Sequence, residues 1–297
     1  MPALNNRPQE KMLSCLTVDV EDWFHILDLS SAPDVTEWEN LESRVKKNFF
    51  TLLDKFDETN TKVTCFFLGW VAQKFPEIVK EASLRGHEIA SHGYSHQLVY
   101  TQSRQEFSED IIKTKNILEN ITGQAVEGYR APGFSITKNT MWAIDELVKA
   151  GYKHDSSIFP AARGHGGISD ANLFPHEIET QYGTLKEFPI SVVNLFSKRI
   201  CFFGGGYLRL FPYPIIRHMT KRVNDEERPV VYYIHPREID PYHPRLHMNW
   251  KRNFKSYVNL KSTLPKLKNL LYEQSLTSFQ NWLKEYGDEQ KPFSVAA

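Results

Sequence analysis

Short apolar, β-branched runs alternate with longer stretches of helical spacing along this chain, and that rhythm admits few folds. Leu13 to Val20 (LSCLTVDV) reads as a buried strand, Ser43 to Asn60 as a helix, and Lys62 to Leu68 (KVTCFFL) as a second strand. A helix is expected from Val71 to Arg85, closed by Gly86, and His87 to Ala90 opens a third strand. Phe107, Ile111 and Leu118 mark a helix from Ser103 to Ile121, and a further helix runs from Lys138 to Ala150 before Gly151. Apolar strands recur at Leu185 to Ile190 and Val230 to Ile234. Such alternation predicts an α/β fold with a parallel sheet or a (β/α) barrel, whose chemistry lies at the C-terminal strand ends. The stretch from Ala161 to Tyr213, rich in Gly, Pro and aromatic residues, is expected to be loops covering the sheet. The organisation predicted is an N-terminal extension over 1–12, one domain over 13–287 with an elaborated part over 161–287, and a loose tail over 288–297.

Charge sets the class of partner. Among 297 residues, 36 Lys and Arg balance 36 Asp and Glu, and no block of one sign stands out, so no footprint for nucleic acid is expected. Cys15, Cys65 and Cys201 are odd in number and far apart in apolar runs, which predicts buried thiols in a reducing compartment. Met1 to Lys11 is polar, and no segment reaches the roughly 18 apolar residues of a membrane span. A cytoplasmic location is therefore expected. Peripheral access to lipid-linked substrate stays open, because it needs no span.

Three carboxylates, Asp19, Glu21 and Asp22, crowd the end of the first strand in TVDVEDWFH. Such crowding is costly unless a cation or proton is shared, although a helix N-terminus also favours acids. His92 and His96 in SHGYSH share a His-x-x-x-His spacing that a helical turn or a tight loop converts into adjacent imidazoles. Carboxylate and imidazole are ordinary ligands of zinc and related ions. Arg130 to Gly133 (RAPG) adds a fixed cation and a glycine that lets backbone approach a ligand, and His235 ends the strand VVYYIHP.

The ordered set TVDVEDW, SHGYSH, GYRAPG, KHDSS and YIHP resembles the five motifs of the polysaccharide deacetylase family, carbohydrate esterase family four, from about Leu13 to Asp240. FGGGYLRLFPYP and YYIHPREIDPYHPR further resemble the subgroup associated with exosortase-type exopolysaccharide clusters. The resemblance implies a distorted (β/α) barrel of about seven strands. It also implies a cytoplasmic enzyme that removes acetyl groups from N-acetylated sugars of a polysaccharide or its lipid-linked precursor. By the same resemblance Asp19 is the general base, His92 and His96 are metal ligands with either Glu21 or Asp22, and Arg130 keeps the base ionised. Gly133 offers an oxyanion N–H, His235 is the general acid, and Asp155 is the acid that orients it. One divalent metal is implied, zinc first, with cobalt, nickel or iron as alternatives.

Two other readings compete. One is amidohydrolysis of a small ureide or amide on the same metal site; the other is an inactive relative that binds glycan. No Gly-x-Ser-x-Gly elbow occurs, and Gly204 to Gly206 lacks the Lys and Ser/Thr of a phosphate loop, so it reads as a tight turn near the site.

Overall fold

The structure, a computed structural model, describes residues 12–27, 29–164 and 166–287. The expected extension, apart from Met12, and the expected tail lie outside the described residues. Eleven strands are described: β1 (Ser14–Val20), β2 (Thr64–Phe67), β3 (Glu88–Ser91), β4 (Gly128–Tyr129), β5 (His154–Asp155), β6 (His176–Thr180), β7 (Gly183–Glu187), β8 (Val193–Leu195), β9 (Lys198–Ile200), β10 (Val231–Ile234) and β11 (Leu276–Thr277). The main sheet runs β10-β1-β2-β3-β4-β5-β7-β6, parallel throughout except for the β6–β7 hairpin, with β11 on the β1 edge ahead of β2. This is a curled, open half-barrel. Seven parallel strands form its run from β10 to β7, and β6 and β11 bring the sheet to nine. β8 and β9 form a separate hairpin.

Every residue of β1, β2, β3 and β10 is buried, as expected of parallel strands covered on both faces. The helices are α1 (Val45–Asp57), α2 (Gly69–Lys74), α3 (Pro76–Leu84), α4 (Arg104–Thr122), α5 (Trp142–Lys149), α6 (Gly205–Leu210), α7 (Tyr213–Asn224), α8 (Trp250–Tyr257), α9 (Thr263–Glu273) and α10 (Phe279–Tyr286). α4 follows its sequence signals closely. Ser103 and Glu106 form a reciprocal capping box at its start, and Gly123 ends it at φ 67°, a left-handed conformation that glycine adopts without steric cost.

Three expectations change. The helix expected from Val71 to Arg85 is two, because Pro76 has no N–H to continue the ladder and starts α3 instead. The one expected from Lys138 opens as a 3₁₀ turn before α5 begins at Trp142. The stretch from Ala161 to Tyr213 is not only loops: it supplies β6 to β9 and α6, and Gly205 and Gly206 belong to that helix rather than to a free turn. Gly204 itself packs so closely on the Tyr233 ring that a Cβ there would lie 2.1 Å from it.

Candidate active site and metal centre

Four parallel strands deliver the site. Asp19 lies near the end of β1 with Glu21 just beyond it, His92 follows β3, Arg130 follows β4, and His235 follows β10. All sit at C-terminal strand ends, where an α/β sheet leaves backbone and side chains open to a ligand.

Glu21, His92 and His96 bring one ligand atom each within 4.8 Å of one another, all buried. The His92–His96 segment is a tight loop, not a helical turn. Gly93 and Tyr94 offer their carbonyls to the first N–H groups of α2, and the Asp110 carboxylate on α4 accepts from the Tyr94 N–H at 2.9 Å. His96 takes φ 55°, a left-handed conformation that costs a histidine of order 1–3 kcal/mol, so the surrounding loop must hold it there. His92 Nδ1 donates to the Arg130 carbonyl at 2.7 Å, which leaves Nε2 with its lone pair free to bind a cation. Burial, outweighing nearby Asp19, holds the His92 pKa down to about 4, so the ring stays neutral. Burial opposes ionisation of Glu21, yet His96, His235 and Arg237 outweigh it and keep this carboxyl far below its ordinary range. The His96 Nε2 to Glu21 Oε2 distance is 2.8 Å. Two imidazoles and one carboxylate gathered this closely are a donor set that fits a divalent ion such as zinc.

Asp19 is 2 % exposed and faces this group. Arg130, fully buried, reaches its Oδ1 at 2.7 Å and is itself fixed by the Thr17 hydroxyl, the Ser156 hydroxyl and carbonyl, and the Phe66 ring. A guanidinium held on so many sides cannot swing away from Asp19. On the other side of Asp19, His235 Nε2 stands 3.6 Å from Oδ2 and 3.8 Å from Glu21 Oε1.

The acid that holds His235 is Glu238. Its Oε2 accepts from the His235 backbone N–H at 3.0 Å and meets Nδ1 at 3.1 Å, while its Oε1 pairs with Arg209 Nε at 2.8 Å. Arg209 is in turn tied to the carbonyls of Lys255 and Ser256. Asp155, expected in the orienting role, does other work. Its carboxyl takes the Ser157 hydroxyl at 2.5 Å and shares a fully buried site with Glu187. Ser157 Oγ then accepts from the Ala131 N–H at 2.8 Å, so this pair braces the turn that carries Gly133, which sits at φ 63°. Burial pushes both carboxyls of the pair up, and one shared proton satisfies them.

Burial disfavours the His235 cation, but Glu21, Glu238 and Asp19 outweigh it and raise its pKa above the ordinary value. A general acid with a raised pKa is active below that pKa and fails as pH rises through it. Glu238→Gln removes one of the raising charges, so the alkaline limb of kcat should move to lower pH and kcat on an amide should fall about tenfold or more, with KM little changed. An unmoved alkaline limb in that variant would take Glu238 out of this role.

Asp22, the other expected metal acid, points elsewhere. Its two oxygens accept from the N–H groups of Trp23, Arg44 and Val45 and from the Ser43 hydroxyl, capping the start of α1. Burial outweighs these bonds and raises its pKa. Asp22→Ala should therefore lower thermal stability by about 2 kcal/mol while leaving metal stoichiometry unchanged. Loss of the ion from that variant would return Asp22 to the ligand set.

Sequence reasoning missed Glu238, Arg209, Asp110 and Arg237. Glu238 had a readable signal, since His-x-x-Glu at a helix start is a capping-box spacing. Arg237 lies 3.6 Å from Glu21 through Nε, and its buried Nε and Nη1 have no hydrogen-bond partner. His25 Nδ1 accepts from the Asp22 N–H, which places the proton on a buried Nε2 that is likewise unpartnered.

Comparison with known proteins agrees with this geometry. Residues 39–154 match the polysaccharide deacetylase family, and residues 156–284 match a domain of unknown function, DUF3473. A peptidoglycan-N-acetylglucosamine deacetylase of Bacillus cereus is 40% identical over 96 residues, 32% of this chain and 35% of that protein. A peptidoglycan deacetylase of Helicobacter pylori is 30% identical over 107 residues, 36% of each. The chain thus spans about a third of the length of the curated relatives it matches. A crystal structure from Mycobacterium smegmatis, described as a polysaccharide deacetylase, superposes with a TM-score of 0.65 at 18% identity, covering 100% of this chain and 98% of that one. Puue allantoinase superposes at 0.60 with 15% identity, covering 97% and 94%; these two likenesses concern the fold alone. The likeness to polysaccharide deacetylases thus rests on residues 39–154, and the DUF3473 segment follows it directly.

Proposed function

We propose that this chain is a metal-dependent hydrolase that removes acetyl groups from N-acetylated sugars of a polysaccharide or its lipid-linked precursor. One observation carries the reading: Asp19 and His235 face each other 3.6 Å apart beside the Glu21, His92 and His96 group. A base and an acid on either side of a metal-binding set suit acyl transfer from nitrogen. Glu21, His92 and His96 would hold a divalent ion, which when bound would supply Lewis acidity for acyl transfer.

The chain's own residues perform the proton transfers. Asp19, held in place by Arg130, takes a proton from the attacking water. His235, kept protonated by Glu238, gives a proton to the departing sugar nitrogen, without which an amine leaves poorly. The Gly133 N–H, on the turn braced by Ser157, offers a donor to the developing oxyanion. Cytoplasmic action in exopolysaccharide assembly belongs to the same proposal, supported by the FGGGYLRLFPYP and YYIHPREIDPYHPR segments and by three free, buried cysteines.

Acetate release from a panel of N-acetylated oligosaccharides, after loading with zinc, cobalt, nickel or iron, tests the reading. Acetate from at least one glycan is expected. Ammonia from ureides with no acetate from any glycan would replace it with amidohydrolysis of a small substrate.

A further inference from the structure

The balanced charge of the whole chain hides a local imbalance. From Pro241 to Tyr272 the sequence holds seven Lys and Arg and no Asp or Glu. Lys266 turns inward to the carbonyls of Leu208, Arg209 and Phe211, and Arg252 donates to the Leu27 carbonyl. The remaining five, Arg245, Lys251, Lys255, Lys261 and Lys268, are exposed, and none is in an ion pair among the described residues. Lys46, Lys74 and Arg85, by contrast, each meet a carboxylate within 2.8 Å.

Large apolar side chains share this basic face. Tyr242 and Trp250 are each 76% exposed and Phe254 52%, with Trp250 and Phe254 one turn apart on α8. Leu210, 40% exposed, lies alongside at the end of α6, where Asn259 bonds the Arg209 carbonyl. Unpaired cations interleaved with exposed Trp, Phe and Leu form the pattern of a surface that lies on an anionic bilayer, rings and alkyl groups in the headgroup boundary and ammonium groups on phosphates. Among the described residues no helix is long and apolar enough to cross a membrane, so this contact is peripheral.

We infer that α8 and its flanking segments form a docking face for membranes rich in anionic phospholipid. The face borders the site. Arg209, held by α8 carbonyls, grips Glu238, and Arg252 joins α8 to the loop that follows His25. Docking there brings the mouth of the site to the lipid surface. Lipid is favoured over an acidic polymer because Leu210 and Phe254 offer hydrocarbon without hydrogen bonds.

The inference does not rest on the reaction proposed above, and its test reads lipid partitioning directly. The full chain is sedimented with vesicles of phosphatidylcholine alone or with roughly one phosphatidylglycerol in three lipids. Binding to the anionic vesicles, weakened by salt, and little binding to the neutral ones are expected. Lys251→Ala with Lys255→Ala should weaken partitioning by about 30-fold. Trp250→Ser with Phe254→Ser should remove the part that salt does not. An unchanged melting temperature and unchanged cleavage of a nitrophenyl acetate show that these variants remain folded. Equal binding to both vesicles, no binding to either, or variants that bind like the parent would overturn the inference. So would capture by soluble polygalacturonate, with the same residue dependence and no vesicle binding, which would make the face a glycan surface.

Discussion

His96→Ala is expected to abolish both stoichiometric metal and turnover while the protein stays folded. In the proposed set of three protein ligands, losing one imidazole leaves a carboxylate and a single ring, which no longer compete with water for a divalent ion. His96 also sits at φ 55°, so alanine inherits a strained backbone and gains nothing that compensates. The fold should tolerate the change because the loop is anchored independently, by Asp110 and by the start of α2. Metal content by elemental analysis, circular dichroism and acetate release measured together decide the matter. Full metal retention with a native spectrum would remove His96 from the ligand set and leave the Glu21 and His92 pair unexplained.

Asp19→Asn separates the base from the ligands. The amide keeps size and can still meet Arg130, but it cannot accept a proton from water, so kcat should fall by about 10²- to 10⁴-fold, the usual contribution of a general base. Metal should remain, because Glu21, His92 and His96 supply the donors and Asp19 is engaged with Arg130. A variant that loses its ion along with its activity would instead make Asp19 a ligand.

How much of this was legible in the sequence follows from the range of the forces involved. β1, β2, β3 and β10 announce themselves because a strand buried on both faces must be apolar along its whole length. The positions of their candidate side chains were legible for the same reason: a carboxylate or imidazole ending such a run lies at the C-terminal edge of the sheet. The His92 and His96 spacing was local and readable; the loop geometry that makes it useful depends on Asp110, sixteen positions from Tyr94, and was not. Asp22 could not be told from Glu21 by spacing, since its alternative partners, the first N–H groups of α1, lie more than twenty positions away. Asp155 failed in the same manner. Its partner Glu187 arrives with β7, a strand that could be expected but whose place beside β5 could not. The basic face escaped notice because counting charges over the whole chain averages a patch to nothing.

The pairing of β10 with β1 has a consequence for how the molecule is made. The Val230 N–H donates to Ser14 Oγ across 216 positions, and the two strands are hydrogen-bonded in parallel along their length. During synthesis at roughly 5–20 residues per second, β1 therefore waits about 10–40 s with that edge unpaired, presenting an apolar template to any other strand. Residues 39–154, which carry the family likeness, hold His92, His96 and Arg130 but neither Asp19 nor Glu21 nor His235. A nascent or clipped chain that stops before Val231 thus lacks His235 and bares the β1 edge at once. Quality control that recognises exposed strand edges would by the same act clear the forms that lack His235.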